Sequence, residues 1–170
     1  MLALDGDPGA WLPPGVSVLP QRQGDFGARL AGAMADTWAG RPLPLLVVGM
    51  DTPQLAAGLL DWVAAQLLAA GTDTVLGPAD DGGYWVIAAR RPVAGMFEGV
   101  PMSTASTGEA QLARLGALGL RCSIGPGLRD VDEFADAEAV AEAAPGTAFA
   151  REWRAMAPAV RATTAAVGGR

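Results

Sequence analysis

The sequence predicts an α/β fold, a three-layer sandwich with a sheet between helices. Short runs of branched apolar residues alternate with stretches of helical period along the 170 residues. One run, Leu45–Val48, is apolar without interruption, as in a strand of a parallel sheet buried on both faces. Gly49 and Met50 end that run, Asp51 stands where it opens into a loop, and Leu55, Leu59, Val63 and Leu67 then form one helical stripe. A central strand that delivers a carboxylate to its C-terminal end, just before a helix, is how open α/β sheets build ligand sites. Thr52 as helix cap with Pro53 at the first position, assisted by Asp51, fits the same residues.

The other elements follow in order. Met1–Leu4 reads as the end of a strand, Asp5–Pro14 as turn chemistry, and Val16–Leu19 as a second strand stopped by Pro20. After a polar loop a helix begins near Asp25, with Phe26, Leu30 and Met34 facing inward. Asp25 suits its N-cap and Arg29 lies one turn later; an ion pair and a ligand contact are both open to them. Gly71 closes the central helix and Thr72–Leu76 is a third strand. The stretch GPADDGGYW, Gly77–Trp85, suits a tight turn, and Gly82–Gly83 would equally let a ligand approach the backbone. Tyr84 and Trp85 open the returning strand with side chains on opposite faces. Arg90–Val100 is a loop over the core edge, Pro101–Thr107 supplies hydroxyls, and a helix spans about 105–118 with Leu112, Leu115 and Leu118 inward. Leu120–Ile124 is a further strand, with Cys122 a small core residue. In PGLRDVDEFAD, Asp130 and Asp132 share one face of an extended backbone, unless the loop is simply an acidic cap on a Phe134–Ala143 helix. Residues 1–145 thus form one domain, 146–160 a C-terminal helix with Trp153 and Met156, and 161–170 a disordered tail.

Composition excludes several chemistries. The chain is 51% hydrophobic and 6% aromatic, so its core is aliphatic. Net charge is −6 and no basic cluster exceeds Arg90–Arg91, which argues against a nucleic-acid partner. It has no histidine, all 12 basic residues are arginine, and Cys122 is its one cysteine. Imidazole–zinc sites, histidine triads, lysine chemistry and internal disulfides are thereby excluded, and a metal here would be oxygen-bound Mg²⁺ or Mn²⁺. No signal-like or membrane-length apolar run occurs, so a cytoplasmic location is expected.

VVGMDTPQL, LGPADDGGYWVIA, FEGVPMSTAST and LRDVDEFAD, in that order, resemble a family of bacterial glycosyltransferase-like proteins with the GT-A, nucleotide-diphospho-sugar transferase fold, some of them linked to arsenosugar biosynthesis. The resemblance runs from about Leu2 to Glu138. It implies a nucleotide-sugar donor and a small-molecule acceptor, with Asp51 and Asp132 as catalytic metal ligands and Asp130 as a helper. Asp132 lies in DVDE, where the family usually reads DVDT. Gln21, Asp25, Arg29 and Gly49 fall to the nucleotide, and Asp81, Gly82, Gly83, Tyr84 and Trp85 to the sugar or acceptor. A diphosphate leaving group calls for a divalent cation, which two carboxylates can hold. Nucleotidyltransferases of the same fold, or a non-catalytic partner protein that kept it, are the alternatives. Relatives begin with a strand and a glycine-containing loop carrying Lys and Arg, which have no counterpart in these residues. The resemblance therefore implies an incomplete GT-A sheet, a truncated chain of little activity, and an exposed sheet edge that a second copy could cover.

Overall fold

The structure, a computed structural model, describes residues 1–168, with side chains described through Arg161. Strands β1 (Leu2–Leu4) and β2 (Val18–Pro20) pair in parallel as a sheet of their own. Helix α1 (Phe26–Gly40) leads to β3 (Leu45–Val48), α2 (Ala57–Leu68), β4 (Thr74–Pro78) and β5 (Tyr84–Ala89). Then come α3 (Thr107–Ala117), β6 (Cys122–Ile124), α4 (Phe134–Ala143) and α5 (Ala148–Gly168). The second sheet has the order β3-β5-β4-β6, with β5 antiparallel to both neighbours and β4 parallel to β6.

The α/β class holds, and the role of Leu45–Val48 changes. Among the described residues β3 is an edge strand, antiparallel to its one neighbour, and only Leu45 in it is buried. The interior strands are β5, buried from Trp85 to Ala89, and β4, buried from Thr74 to Gly77. From Val86 to Ala89 the side chains of β5 alternate between two cores, and Trp85, beside the irregular register at Gly77–Pro78, shares the core of Val86. Ile87 and Ala89 pack with Met34, Leu45, Met96, Phe97 and Leu115 on the α1–α3 side. Val86, Ala88 and Trp85 pack with Val63, Leu67 and Val75 on the α2 side. An unbroken apolar run looks the same at an edge, where helices cover its two faces, as at the centre.

Three local expectations are corrected. α2 starts at Ala57, with Ala56 in the cap position and no side-chain cap, so Thr52 and Pro53 belong to a loop. Phe26 is 46% exposed and does not join the inward stripe that Met34 anchors. β4 runs through Gly77 and Pro78, which the sequence reading assigns to the turn. α5 packs on α4 through Trp153, whose ring lies 4.9 Å from Phe134 in an edge-on contact. That helix continues to Gly168, past the expected stop at Val160; of the expected tail, residues 169–170 lie outside the described residues.

Candidate active site

Backbone bonds gather the functional loops at one end of the second sheet. Beyond β4, the Leu128 N–H donates to the Pro78 carbonyl at 3.1 Å and the Asp80 N–H to the Leu128 carbonyl at 3.0 Å. This isolated parallel bridge carries the 78–81 and 128–130 segments side by side. The Val131 N–H then donates to the Asp51 carbonyl at 2.9 Å, joining the loop after β3 to the same place. The Gln54 amide also donates to the Arg129 carbonyl. Trp85 steadies the approach from below: its indole N–H donates to the Pro126 carbonyl at 2.9 Å.

The result is an acidic cluster. Carboxylate oxygens of Asp81, Asp130 and Asp132 lie within 4.8 Å of one another. Among the described residues no arginine pairs with these three; Arg129 beside them spends its guanidinium on Asp80 at 3.3 Å and Asp136 at 3.4 Å. Partial burial raises the pKa of Asp130, and the charges of Asp81, Asp132 and Asp51 raise it further. The α4 cap belongs to other acids, since Asp136 accepts the Glu133 N–H at 2.9 Å. Asp130 and Asp132 are thus left free of that task.

A cleft of about 230 Å³ opens beside the cluster. Asp51, Asp81 and Asp130 line it with Gly49, Gly83 and Tyr84, and Met102, Ser103 and Thr107 also line it. Asp132 stands in the cluster but off this cleft, and Asp51 lines the cleft without joining the triad of oxygens. A Cβ on Gly49 would lie 2.7 Å from the Asp51 carboxylate, so a side chain there would turn that carboxylate aside. Asp81 accepts the Gly83 N–H at 2.6 Å and so closes the turn that presents it.

The two glycines of that turn part company. Gly82 has φ +91°, and a Cβ on it would fall 2.0 Å from the Ala105 carbonyl oxygen. Its own carbonyl accepts the Gly108 N–H at 2.8 Å, so the close approach it permits is to the start of α3. Gly83 is the one that reaches the cleft. Tyr84 and Trp85 do point to opposite faces. Tyr84 lines the cleft, its hydroxyl 3.4 Å from Gln111 Oε1, and burial pushes its pKa up to about 12. The Trp85 indole is core, and that residue only borders the cleft.

The residues assigned to the nucleotide are dispersed. Gln21 is engaged with the Ala3 carbonyl at 3.3 Å and with Arg29 at 3.4 Å. Asp25 caps α1 by accepting the Ala28 N–H at 2.8 Å. Arg29 lies over the Phe26 ring, 5.5 Å from its centroid. None of the three lines the acidic cleft, whereas Gly49 does. Met102 and Ser103 were missed as wall residues. Their one sequence signal is the run of hydroxyls before α3; Ser103 also has φ +57°, a backbone conformation only the structure reveals.

Residues 2–104 match a family described as an uncharacterized protein conserved in bacteria, DUF2064. The chain belongs to this family. Its structure is also similar to the crystal structure of a "putative nucleotide-diphospho-sugar transferase" from Desulfovibrio desulfuricans G20, with a TM-score of 0.78 at 23% identity. That similarity covers 90% of this chain and 72% of the other. At such identity it establishes a nucleotide-diphospho-sugar transferase-like fold for this DUF2064 member and nothing finer. None of the curated proteins matches the chain. Among the described residues, no helix is long and apolar enough to cross a membrane.

Proposed function

We propose that this DUF2064 chain is a divalent-cation-dependent sugar transferase whose donor is a nucleotide-diphospho-sugar. The observation that carries the reading is the convergence of Asp81, Asp130 and Asp132, drawn from two loops and left without a basic partner. Unpaired carboxylates this close repel one another, and hard cations such as Mg²⁺ and Mn²⁺ are bound by such oxygen sets. Of the expected ligands Asp51, Asp132 and Asp130, the proposed set keeps Asp130 and Asp132, takes in Asp81, and leaves Asp51 beside it.

Bound there, Mg²⁺ or Mn²⁺ would offset the charge that builds on a departing diphosphate. Asp51 lines the cleft with its carboxylate outside the triad, which suits it to accept a proton. The acceptor oxygen bonds to the anomeric carbon, the bond from that carbon to the diphosphate oxygen breaks, and the acceptor proton passes to Asp51. Ser103 offers a hydroxyl on the cleft lining to orient the sugar, while the buried Thr107 hydroxyl is spent on the loop itself, donating to the Pro101 carbonyl at 2.8 Å. No arginine among the described residues lines the cleft, so donor affinity rests on the cation.

Self-association belongs to the same reading. β3 pairs only with β5 among the described residues, and a second copy laid along its open side would satisfy those backbone groups. The deciding assay is a panel of nucleotide sugars with Mn²⁺, scored for released nucleoside diphosphate. Turnover that Asp130→Asn abolishes supports the proposal. Absence of turnover across the panel, together with absence of any Mn²⁺-dependent thermal shift, overturns it and leaves the non-catalytic alternative.

A further inference from the structure

A second cavity, of about 590 Å³, adjoins the acidic cleft. Phe26 and Met102 line both spaces. The new cavity runs between the first turns of α1, with Ala28 and Ala31, and the loop between β5 and α3, with Phe97 and Val100. Gly27 brings the two walls together: a Cβ there would lie 3.2 Å from the Phe97 carbonyl oxygen. Phe26 is an aromatic ring left 46% exposed although the helix it opens has an apolar stripe within reach. Its place on the wall common to both spaces accounts for that exposure.

Charge says what the cavity can hold. Its charged lining residues are Asp25 and Glu98, both acids. Asp25 is occupied as the α1 cap, and Glu98 pairs with Arg114 at 3.1 Å. With Asp25 already capping the α1 N-terminus, a phosphate would meet an acid and apolar carbon there, which disfavours the space for the diphosphate of a donor. A volume of about 590 Å³ lies in the range of small-molecule sites, and the remaining walls are apolar. The neighbouring cleft, at about 230 Å³, has room for the reacting groups but little more.

We infer that this second cavity binds the uncharged apolar part of the acceptor, an alkyl or aryl group on a molecule whose hydroxyl projects past Phe26 and Met102 into the acidic cleft. The word acceptor rests on the proposed transferase reading; the binding of a neutral amphiphile does not. The test uses N-phenyl-1-naphthylamine, a neutral fluorophore, titrated with the full chain without metal or donor. It should bind, be displaced by n-octyl β-D-glucoside and not by methyl β-D-glucoside, and be displaced at least tenfold less effectively by octanoate at pH 7. Ala31 and Ala28 are exposed on α1. Ala31→Trp, or Ala28→Leu should the first variant fold poorly, should weaken the fluorophore at least tenfold at an unchanged melting temperature. Ala113→Trp, at an exposed position of α3, should leave it unchanged. Equal displacement by octanoate, or binding indifferent to both α1 variants, overturns the inference. A concentration-dependent dimer that Ala31→Trp dissociates also overturns it, because the groove is then an interface between copies. If the fluorophore behaves as expected and no nucleotide sugar turns over, the transferase reading fails and the apolar site stands.

Discussion

The Val131 N–H donates to the Asp51 carbonyl at 2.9 Å, across 80 residues of chain. It joins the loop after β3 to the loop before α4 by main chain alone, so the side chain of Asp51 stays free to face the cleft. The Gln54 amide, donating to the Arg129 carbonyl, is the second tie between these loops.

Gln54→Ala should therefore loosen the cleft without emptying it. One intramolecular hydrogen bond contributes ~0.5–1.5 kcal/mol net, so a fall in stability of that order is expected. The apparent Mn²⁺ affinity should fall with it, because the Asp130 loop loses one of its two anchors to the Asp51 loop. Urea unfolding and Mn²⁺ titration of the same sample check both, and an unchanged pair of values would show the tie to be idle.

Metal binding should follow the triad. Mn²⁺ should raise the melting temperature of the parent chain, since a ligand bound only to the folded state stabilises it. Asp81→Asn and Asp130→Asn should each remove most of that shift, while the metal-free melting temperature stays level or rises as repulsion is relieved. Asp51→Asn should retain more of the shift than either. If Asp51→Asn removes it and Asp81→Asn does not, the ligand set is the one read from the sequence.

The glycine turn separates structure from ligand contact. Gly82→Ala places a Cβ 2.0 Å from the Ala105 carbonyl oxygen at φ +91°. Backbone strain of that kind costs ~1–3 kcal/mol, and the clash with fixed main chain adds to it. Gly83→Ala meets only the Asp81 carboxylate, at 3.0 Å, so its loss of stability should be smaller and its effect on Mn²⁺ binding larger. Thermal melts with and without Mn²⁺ distinguish the two, and equal destabilisation would contradict this division.

Much of this was legible in the sequence because it rests on local chemistry. Asp25 does cap α1, α4 spans the residues that its period and flanking acids indicate, and Tyr84 and Trp85 do face opposite ways. Pairing was harder to read. Four apolar residues at 45–48 carry no sign of whether one neighbour or two will flank them, so an edge strand passes for a central one. The cleft suffered likewise. Asp81 reaches Asp130 because Leu128 bridges Pro78 and Asp80 through main-chain bonds, which leave no mark in side-chain pattern. Arg29 stands one turn from the Asp25 cap and over Phe26, a placement set by how α1 packs.

Acid stability should depend on Asp73 more than on the cleft. Its carboxylate accepts from the Arg121 guanidinium at 2.9 Å and from the Arg121 backbone N–H at 3.0 Å, tying the entry of β6 to that of β4. The side-chain bond to Arg121, with the backbone bond next, lowers the Asp73 pKa from 3.8 to about 2. A carboxylate with a depressed folded pKa contributes stability that is present above its unfolded value and is lost as pH falls through the folded one. The window is thus between about pH 4 and pH 2: the parent chain should lose stability there as Asp73 takes up its proton. Asp73→Asn should already lack that contribution at pH 7 and show a flatter slope across the window. The pair is exposed, which screens it and keeps the difference small, so the slope of stability against pH is a better measure than any single melting temperature. Parallel slopes for parent and variant from pH 5 to pH 2 would mean that Arg121 does not hold Asp73 ionised, and that the β4–β6 pairing relies on its backbone bonds alone.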